Sequence, residues 1–208
     1  MARVAGRSSS REEVARAAWR VIVRDGLHRT SVRAIARELG ATTGVVTYYF
    51  RDKAELLLFA LDRLGDAIIR DIDETLRGAT GVERIRRILA TTLPLGPRQV
   101  VGWRIWVSFV GLAMSNRRLR EEHQRRLEIL SDRLARELAV LQEAGELSSE
   151  LEPRQEADAL IALTDGIGLG HLLRPRVYPA ERQWEIVDRY LSARLGAATS
   201  SRRARVRG

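Results

Sequence analysis

The chain has 208 residues, enough to bury a substantial core as one larger unit or two modest ones, and its lack of cysteine excludes a disulfide framework or a thiolate metal site. Its 36 basic and 27 acidic side chains give a net charge of +9, which supports solubility and attraction to polyanions but specifies no activity. The charge is concentrated at the ends: residues 1–53 carry eleven basic against five acidic side chains and residues 196–208 carry four arginines and no acid, while the 142 residues between hold 21 basic and 22 acidic.

The N-terminal stretch around Arg3, Arg7 and Ser8–Ser10 leads into an amphipathic pattern and does not read as an export signal. The two most apolar stretches, Ile105–Met114 and Ala159–Leu173, are shorter than the roughly twenty residues a membrane helix needs. A soluble, cytoplasmic protein is expected.

Ser10 and Glu13 form a capping-box pair, and Val14, Ala17, Ala18, Val21 and Ile22 then recur at helical spacing up to Gly26. A second short helix follows Ser31, with Val32, Ile35, Ala36 and Leu39 on one face and Gly40 placed for a left-handed cap. After a tight turn, a third helix points Val46, Tyr49 and Phe50 inward and leaves Thr43, Gly44, Thr47 and Tyr48 on the opposite side. Asp52 and Glu55 cap a long helix with Leu57, Leu61, Leu64 and Ile68 inward, running to Gly78.

Gly81–Leu93 reads as another helix stopped by Pro94 and Pro97, followed by an aromatic-rich helix over 98–115. The longest helix carries apolar or ring residues at 119, 123, 127, 130, 134, 138 and 141 and stops at Gly145. Segments 153–173 and 179–195 each open with a proline suited to a first helical turn. No strand pattern is present, so the expected fold is all-α with about nine helices. Its organisation reads as an arm and three-helix helix-turn-helix domain over 1–52, a linking helix over 53–78, a larger helical bundle over 79–195, and a disordered basic tail over 196–208.

Two short helices joined by a glycine turn form a helix-turn-helix, whose second helix can enter a major groove when its leading edge is small or hydrogen-bonding. Thr42, Thr43, Gly44 and Thr47 meet that demand. Arg33 is long enough to reach a guanine edge or a phosphate, and Lys53 stands at the start of a helix, where backbone amides also favour an anion. Arg3 and Arg7 could follow a minor groove, and Arg202–Arg207 could add non-specific attraction, although solvated ends are the commoner case.

Residues 30–55, TSVRAIARELGATTGVVTYYFRDKAE, resemble the DNA-binding signature of the tetracycline-repressor (TetR) family, with agreement over residues 11 to about 61. The resemblance implies a homodimer of all-helical subunits that sets two recognition helices in successive major grooves of an operator and binds a small-molecule effector in a variable C-terminal domain. Carried over position by position, it makes Ser31, Arg33, Thr42, Thr43, Gly44, Thr47, Tyr48, Tyr49 and Lys53 candidate DNA contacts. Family members commonly have tyrosine where this chain has Thr47; a threonine hydroxyl reaches less far, so that phosphate contact passes to Tyr48 or is lost. The run Val-Val-Thr-Tyr-Tyr-Phe is instead similar to the branch containing the choline-responsive betaine repressor. Repression by an operator-bound dimer, relieved by effector acting through the linking helix, is the function the resemblance implies.

In the body, Gly166 and Gly170 allow close helix approach, and Trp184, Val187 and Leu191 make an apolar stripe on the last helix; these are the candidate dimer contacts. Trp103, Trp106, Phe109 and Met114 are the richest candidates for an effector pocket, with Thr164, Asp165 and His171 as polar groups on a largely apolar helix that need partners or a ligand. An enzyme is the first rival reading, but three histidines without metal-type spacing and no glycine-rich phosphate loop give it little support, and no cofactor is implied. A purely electrostatic DNA binder is the second.

Overall fold

The computed structural model describes residues 10–26 and 29–205, with side chains throughout except at 53, 60, 61, 63, 64, 67 and from 195 onward. The arm residues Arg3 and Arg7, the side chains of Lys53, Leu61 and Leu64, and the tail arginines therefore lie outside the described set. Among the described residues the fold is all-helical, with nine helices: α1 (Arg11–Asp25), α2 (Val32–Leu39), α3 (Thr43–Tyr49), α4 (Lys53–Thr75), α5 (Val82–Thr92), α6 (Pro97–Ala113), α7 (Arg117–Glu143), α8 (Pro153–Leu173) and α9 (Ala180–Arg205). They form two compact units, one of residues 1–66 with 104–122 and one of residues 67–103 with 123–208.

In the first unit, the Ser10 side chain accepts from the Glu13 amide while Glu13 returns the bond to Ser10, satisfying two amides that the first helical turn leaves free. Val14, Ala17, Ala18, Val21, Ile35, Ala36, Val46, Phe50 and Leu56 close into one core. The alanines let α2 approach α1 closely, and Gly40, at φ +69°, turns the chain into α3 through a left-handed cap. Thr30 is buried and donates to the Gly26 carbonyl at 3.0 Å. On the surface Glu38 accepts from both Arg20 (2.7 Å) and Arg24 (2.6 Å), which pins α2 to α1 and holds its carboxyl below the ordinary range. The expected cap of α4 forms only half as predicted: Asp52 accepts from the Glu55 amide, but Glu55 reaches the Arg51 amide and the Arg11 guanidinium. Leu58, Phe109, Ala113 and Leu119 make a smaller cluster of the same unit.

The second unit is built on a larger apolar core that includes Ile72, Ile85, Ile88, Leu89, Leu134, Leu138, Leu160 and Val187. The spacing read along α7 is the one that packs, since Leu134, Leu138 and Leu141 are buried. Pro153 occupies the first turn of α8, and Glu152 caps it by accepting from the Arg154 and Gln155 amides. Helix α4 ends three residues before Gly78, which carries the positive φ of the turn that follows. The backbone of α9 runs to Arg205, through most of the stretch the sequence assigns to a disordered tail.

Two carboxylates in this unit have opposite surroundings. Glu137 is buried and receives a two-pronged bond from Arg84, 2.6 and 2.8 Å, and this holds its carboxyl below the ordinary range. Arg84 also donates to the Leu76 and Ala79 carbonyls at 3.3 Å, so one guanidinium ties α7 to the turn between α4 and α5. Asp165 is half-buried with no hydrogen-bond or ion-pair partner among the described residues, and desolvation pushes its carboxyl from the ordinary 3.8 up to about 6.

Two outcomes follow in thermal denaturation. Arg84→Ala removes both hydrogen bonds to buried Glu137 and leaves it only the Arg133 guanidinium at 3.5 Å, which should cost about 2–3 kcal/mol and lower Tm by roughly 4–12 °C at neutral pH. Asp165 behaves in the reverse sense: its folded pKa lies above its unfolded one, so the folded chain holds the extra proton between pH 4 and 6 and stability falls as pH rises through that window. Asp165→Asn should therefore raise Tm at pH 7.5 by about 5 °C and by far less at pH 4, and an equal gain at both would contradict this account.

Candidate nucleic-acid interface

Helix α3 is seven residues long, too short to persist alone, and it is held by burying Val46 and the following Phe50 in the core of the first unit. With that face fixed inward, Thr42, Thr43, Gly44, Thr47 and Tyr48 are all exposed, Tyr48 by 82%. Tyr49 is half-buried, packed on the core and set edge-on to Tyr48 at 4.9 Å between ring centres. It steadies its neighbour from behind. Nothing in the chain requires glycine at position 44, since a Cβ there would meet the Thr42 hydroxyl at an ordinary 3.6 Å.

The hydroxyls of this edge are not equivalent. Thr42 caps α3 without a side-chain bond, and neither its hydroxyl nor that of Thr43 has a partner among the described residues. The Thr47 hydroxyl, by contrast, is turned back onto its own helix, donating to the Thr43 (3.2 Å) and Gly44 (3.3 Å) carbonyls. On α2, exposed Ser31 accepts from the Ala34 amide as the cap, which leaves its proton to donate elsewhere. Arg33 is exposed and makes no ion pair among the described residues, whereas Arg11, Arg20, Arg24 and Arg51 are paired within the unit. Lys53 begins α4. Arg11 also lies over the rings of Phe50 (5.0 Å) and Phe59 (4.6 Å), a support for the end of α3 that no sequence spacing announces.

The body corrects several expectations. Gly170 is buried, and a Cβ there would strike the Tyr178 ring at 2.8 Å, so its small size serves packing inside one chain. Val187 and Leu191 are buried in the core of their own unit, and Trp184 packs on that core under the Arg86 guanidinium, 4.6 Å from its ring. Val187 and Leu191 are thus covered without a second copy, while Trp184 is half-buried. Gly166 is open to solvent, and on the same face of α8 Ala162, Leu169 and Leu173 are exposed.

The aromatic candidates for an effector pocket have structural roles as well. Trp103 is buried, donates its indole proton to the Thr92 carbonyl at 2.7 Å, and lies where a Cβ on Gly168 would stand, at 2.2 Å. Phe109 is buried in the small cluster of the first unit, Trp106 is half-buried, and Met114 is 77% exposed in the turn after α6. Thr164 satisfies itself by donating to Ile161, and His171 bonds the Tyr178 carbonyl at 2.8 Å. Buried Gln183, which the sequence reading passed over, completes that knot with bonds to Tyr178 and Pro94.

An open cleft of about 360 Å³ lies between α7 and α8, lined by Gln124, Leu127, Glu128, Ser131, Arg154, Asp158, Ile161, Ala162 and Asp165. None of the predicted pocket residues belongs to it. Arg154 is already engaged there by Asp132 and Asp158. Among the described residues no group of side chains is arranged to hold a metal ion, and no helix is long and apolar enough to cross a membrane.

A family model of bacterial regulatory proteins of the tetR family matches residues 14–59, and one of the BetI-type transcriptional repressor C-terminal domain matches residues 81–196. The chain is similar to the HTH-type transcriptional regulator PksA of Bacillus subtilis, at 28% identity over 79% of this chain and 80% of the relative. To the HTH-type transcriptional regulator BetI of Vibrio parahaemolyticus it is 28% identical over 88% and 90%. A transcriptional regulator from Rhodococcus superposes with a TM-score of 0.80 at 26% identity, over 90% of this chain and 97% of that one. A regulator from Saccharomonospora viridis, solved in complex with choline, superposes at 0.81 and 24% identity over 89% and 97%. Both ends of the first unit's helix-turn-helix and nearly all of the helical body are accounted for in this way, and the chain belongs to the tetR family of bacterial regulatory proteins, a DNA-binding transcriptional regulator with a BetI-type C-terminal domain and not an enzyme.

Proposed function

We propose that the chain works in the cytoplasm as a homodimeric repressor that holds a palindromic operator and releases it on binding a small-molecule effector. The observation that carries the DNA half of this reading is the exposed, uncharged edge of α3 fixed by Val46 and Phe50, with Arg33, which makes no ion pair among the described residues, on the helix before it. In the major groove that edge meets base edges, while Arg33, Ser31, Tyr48 and Lys53 supply groups for a guanine or the phosphates.

Ala162, Gly166, Leu169 and Leu173 recur at helical spacing on the exposed side of α8, and this is the seam we assign to the second copy in place of the α9 stripe. Two-fold pairing through α8 gives the repeated recognition helix that a palindrome requires. Choline is the first effector to test, because a regulator of this fold from Saccharomonospora viridis is known in complex with it. The α7–α8 cleft, where Asp165 has no partner, is a candidate place for a small cation.

Enrichment of bound fragments from genomic DNA should recover a palindrome whose half-sites lie about one helical turn apart, ~34–36 Å. Arg33→Ala should then weaken binding to it by roughly 10- to 100-fold in gel shifts at fixed salt. Leu169→Asp with Leu173→Asp should sediment at the 23.5 kDa chain mass instead of twice that value and lose operator binding while staying helical. A wild-type chain that sediments as a monomer, or prefers no sequence over competitor DNA, would remove this reading. Choline should raise the wild-type Tm and lower operator affinity; no effect on either excludes choline alone.

A further inference from the structure

We propose that Thr47 is a specificity-determining residue that reads the 5-methyl group of a thymine, and that it makes no phosphate contact. The inference rests on α3 being the recognition helix and concerns what one of its side chains can recognise.

Phosphate oxygens only accept hydrogen bonds, so a side chain that grips a phosphate must offer a proton. The Thr47 proton is shared between the carbonyls of Thr43 and Gly44, at 3.2 and 3.3 Å, one and the same turn of its own helix. Thr42 and Thr43, whose hydroxyls bond nothing among the described residues, keep theirs for a ligand. With the Thr47 oxygen folded against the backbone, the other substituent of its Cβ, the γ-methyl, is the group left to face outward from an exposed position.

The ground in front of it is clear. One turn earlier stands Gly44, which has no side chain to shadow the methyl and which the chain does not need for its own packing. A small apolar group on a recognition helix can distinguish one base of the four, because thymine alone presents a methyl group in the major groove. The remaining lone pairs of Thr47 could instead accept from an adenine or cytosine amino group, and the two possibilities separate cleanly by substitution.

The test uses the full chain and its selected operator, with each thymine replaced in turn, symmetrically in both half-sites, by deoxyuridine, which lacks only the methyl. Affinities are read by fluorescence anisotropy at one salt concentration. One position should be sensitive in the wild type, losing about fourfold per half-site and on the order of fifteenfold for both. Thr47→Val, which keeps the methyl and loses the hydroxyl, should bind the thymine operator like the wild type and stay sensitive at that position. Thr47→Ser, which keeps the hydroxyl and loses the methyl, should lose the same factor on the thymine operator and no longer respond to deoxyuridine. The proposal is overturned if no uridine position affects the wild type, or if Thr47→Val is weakened and Thr47→Ser is not. Absence of any preferred operator would sink the DNA-binding reading itself, a result distinct from specific binding that ignores the thymine methyl. Unchanged melting of both variants, expected at an exposed position, confirms that folding is not the source of the difference.

Discussion

The presentation of α3 depends on burial behind it. Seven residues cannot sustain a helix in water, because the cost of fixing the first turn is recovered only over a much longer run of hydrogen bonds. Here Val46 and Phe50 are seated in a core made largely of Val14, Ala17, Ala18, Val21, Ile35 and Ala36, and burying Val46 and Phe50 contributes roughly 1.5–3 kcal/mol each. The alanines bring α1 and α2 close enough for their neighbours to enclose Val46, and the left-handed Gly40 sets the turn. The outward edge is a consequence: once Val46 points inward, the 3.6-residue repeat turns Gly44 and Tyr48 away and leaves Thr47 on the flank, while Thr43 is exposed because it opens the helix.

The body follows a different rule, that buried polar groups find partners within their own chain wherever packing allows. Trp103, Thr164, His171 and the amide protons of Gln183 all end on carbonyl oxygens, and Glu156 takes bonds from Tyr190 and Arg194 that fasten α8 to α9. These groups position helices and are not left waiting for a ligand. The buried Gln183 carbonyl oxygen departs from the rule, and half-buried Asp165 also goes without a partner among the described residues, on the same helix as the exposed apolar face of α8.

Much of the fold was legible because its signals are local. Ser10 with Glu13, Ser31, Gly40, Pro153 and the three-four spacing of α7 each encode a cap or a face within a few residues, and the structure has helices at those places. What was not legible depends on distant partners. The stripe of Val187 and Leu191 looks the same in sequence whether its own core or a second copy covers it, and Gly170 gives no sign that Tyr178 is the group it admits. Trp103, Phe109 and Met114 share a composition that suggests a pocket, yet two are core and one is in solvent. On the exposed edge of α3 the residue types were readable, but the direction of a hydroxyl proton was not, and at Thr47 that direction decides what the side chain has to offer.

The same distinction reshapes the meaning of the chain's charge. The first fifty-three residues carry a net positive charge, but Arg11, Arg20, Arg24 and Arg51 are committed to Glu55, Glu38 and Asp25, where they hold the helices together. Arg16, Arg29, Arg33 and Arg37 are exposed and make no ion pair among the described residues, so they set the field a phosphate backbone would meet. The exposed edge of α3 is neutral. On the function proposed above, salt weakens attraction to any duplex by screening the arginines, while the base contacts of the uncharged edge, which add to any that Arg33 makes, are barely touched by it. A regulator built this way can lose most of its affinity in high salt and keep its preference, which a binder relying on charge alone cannot do.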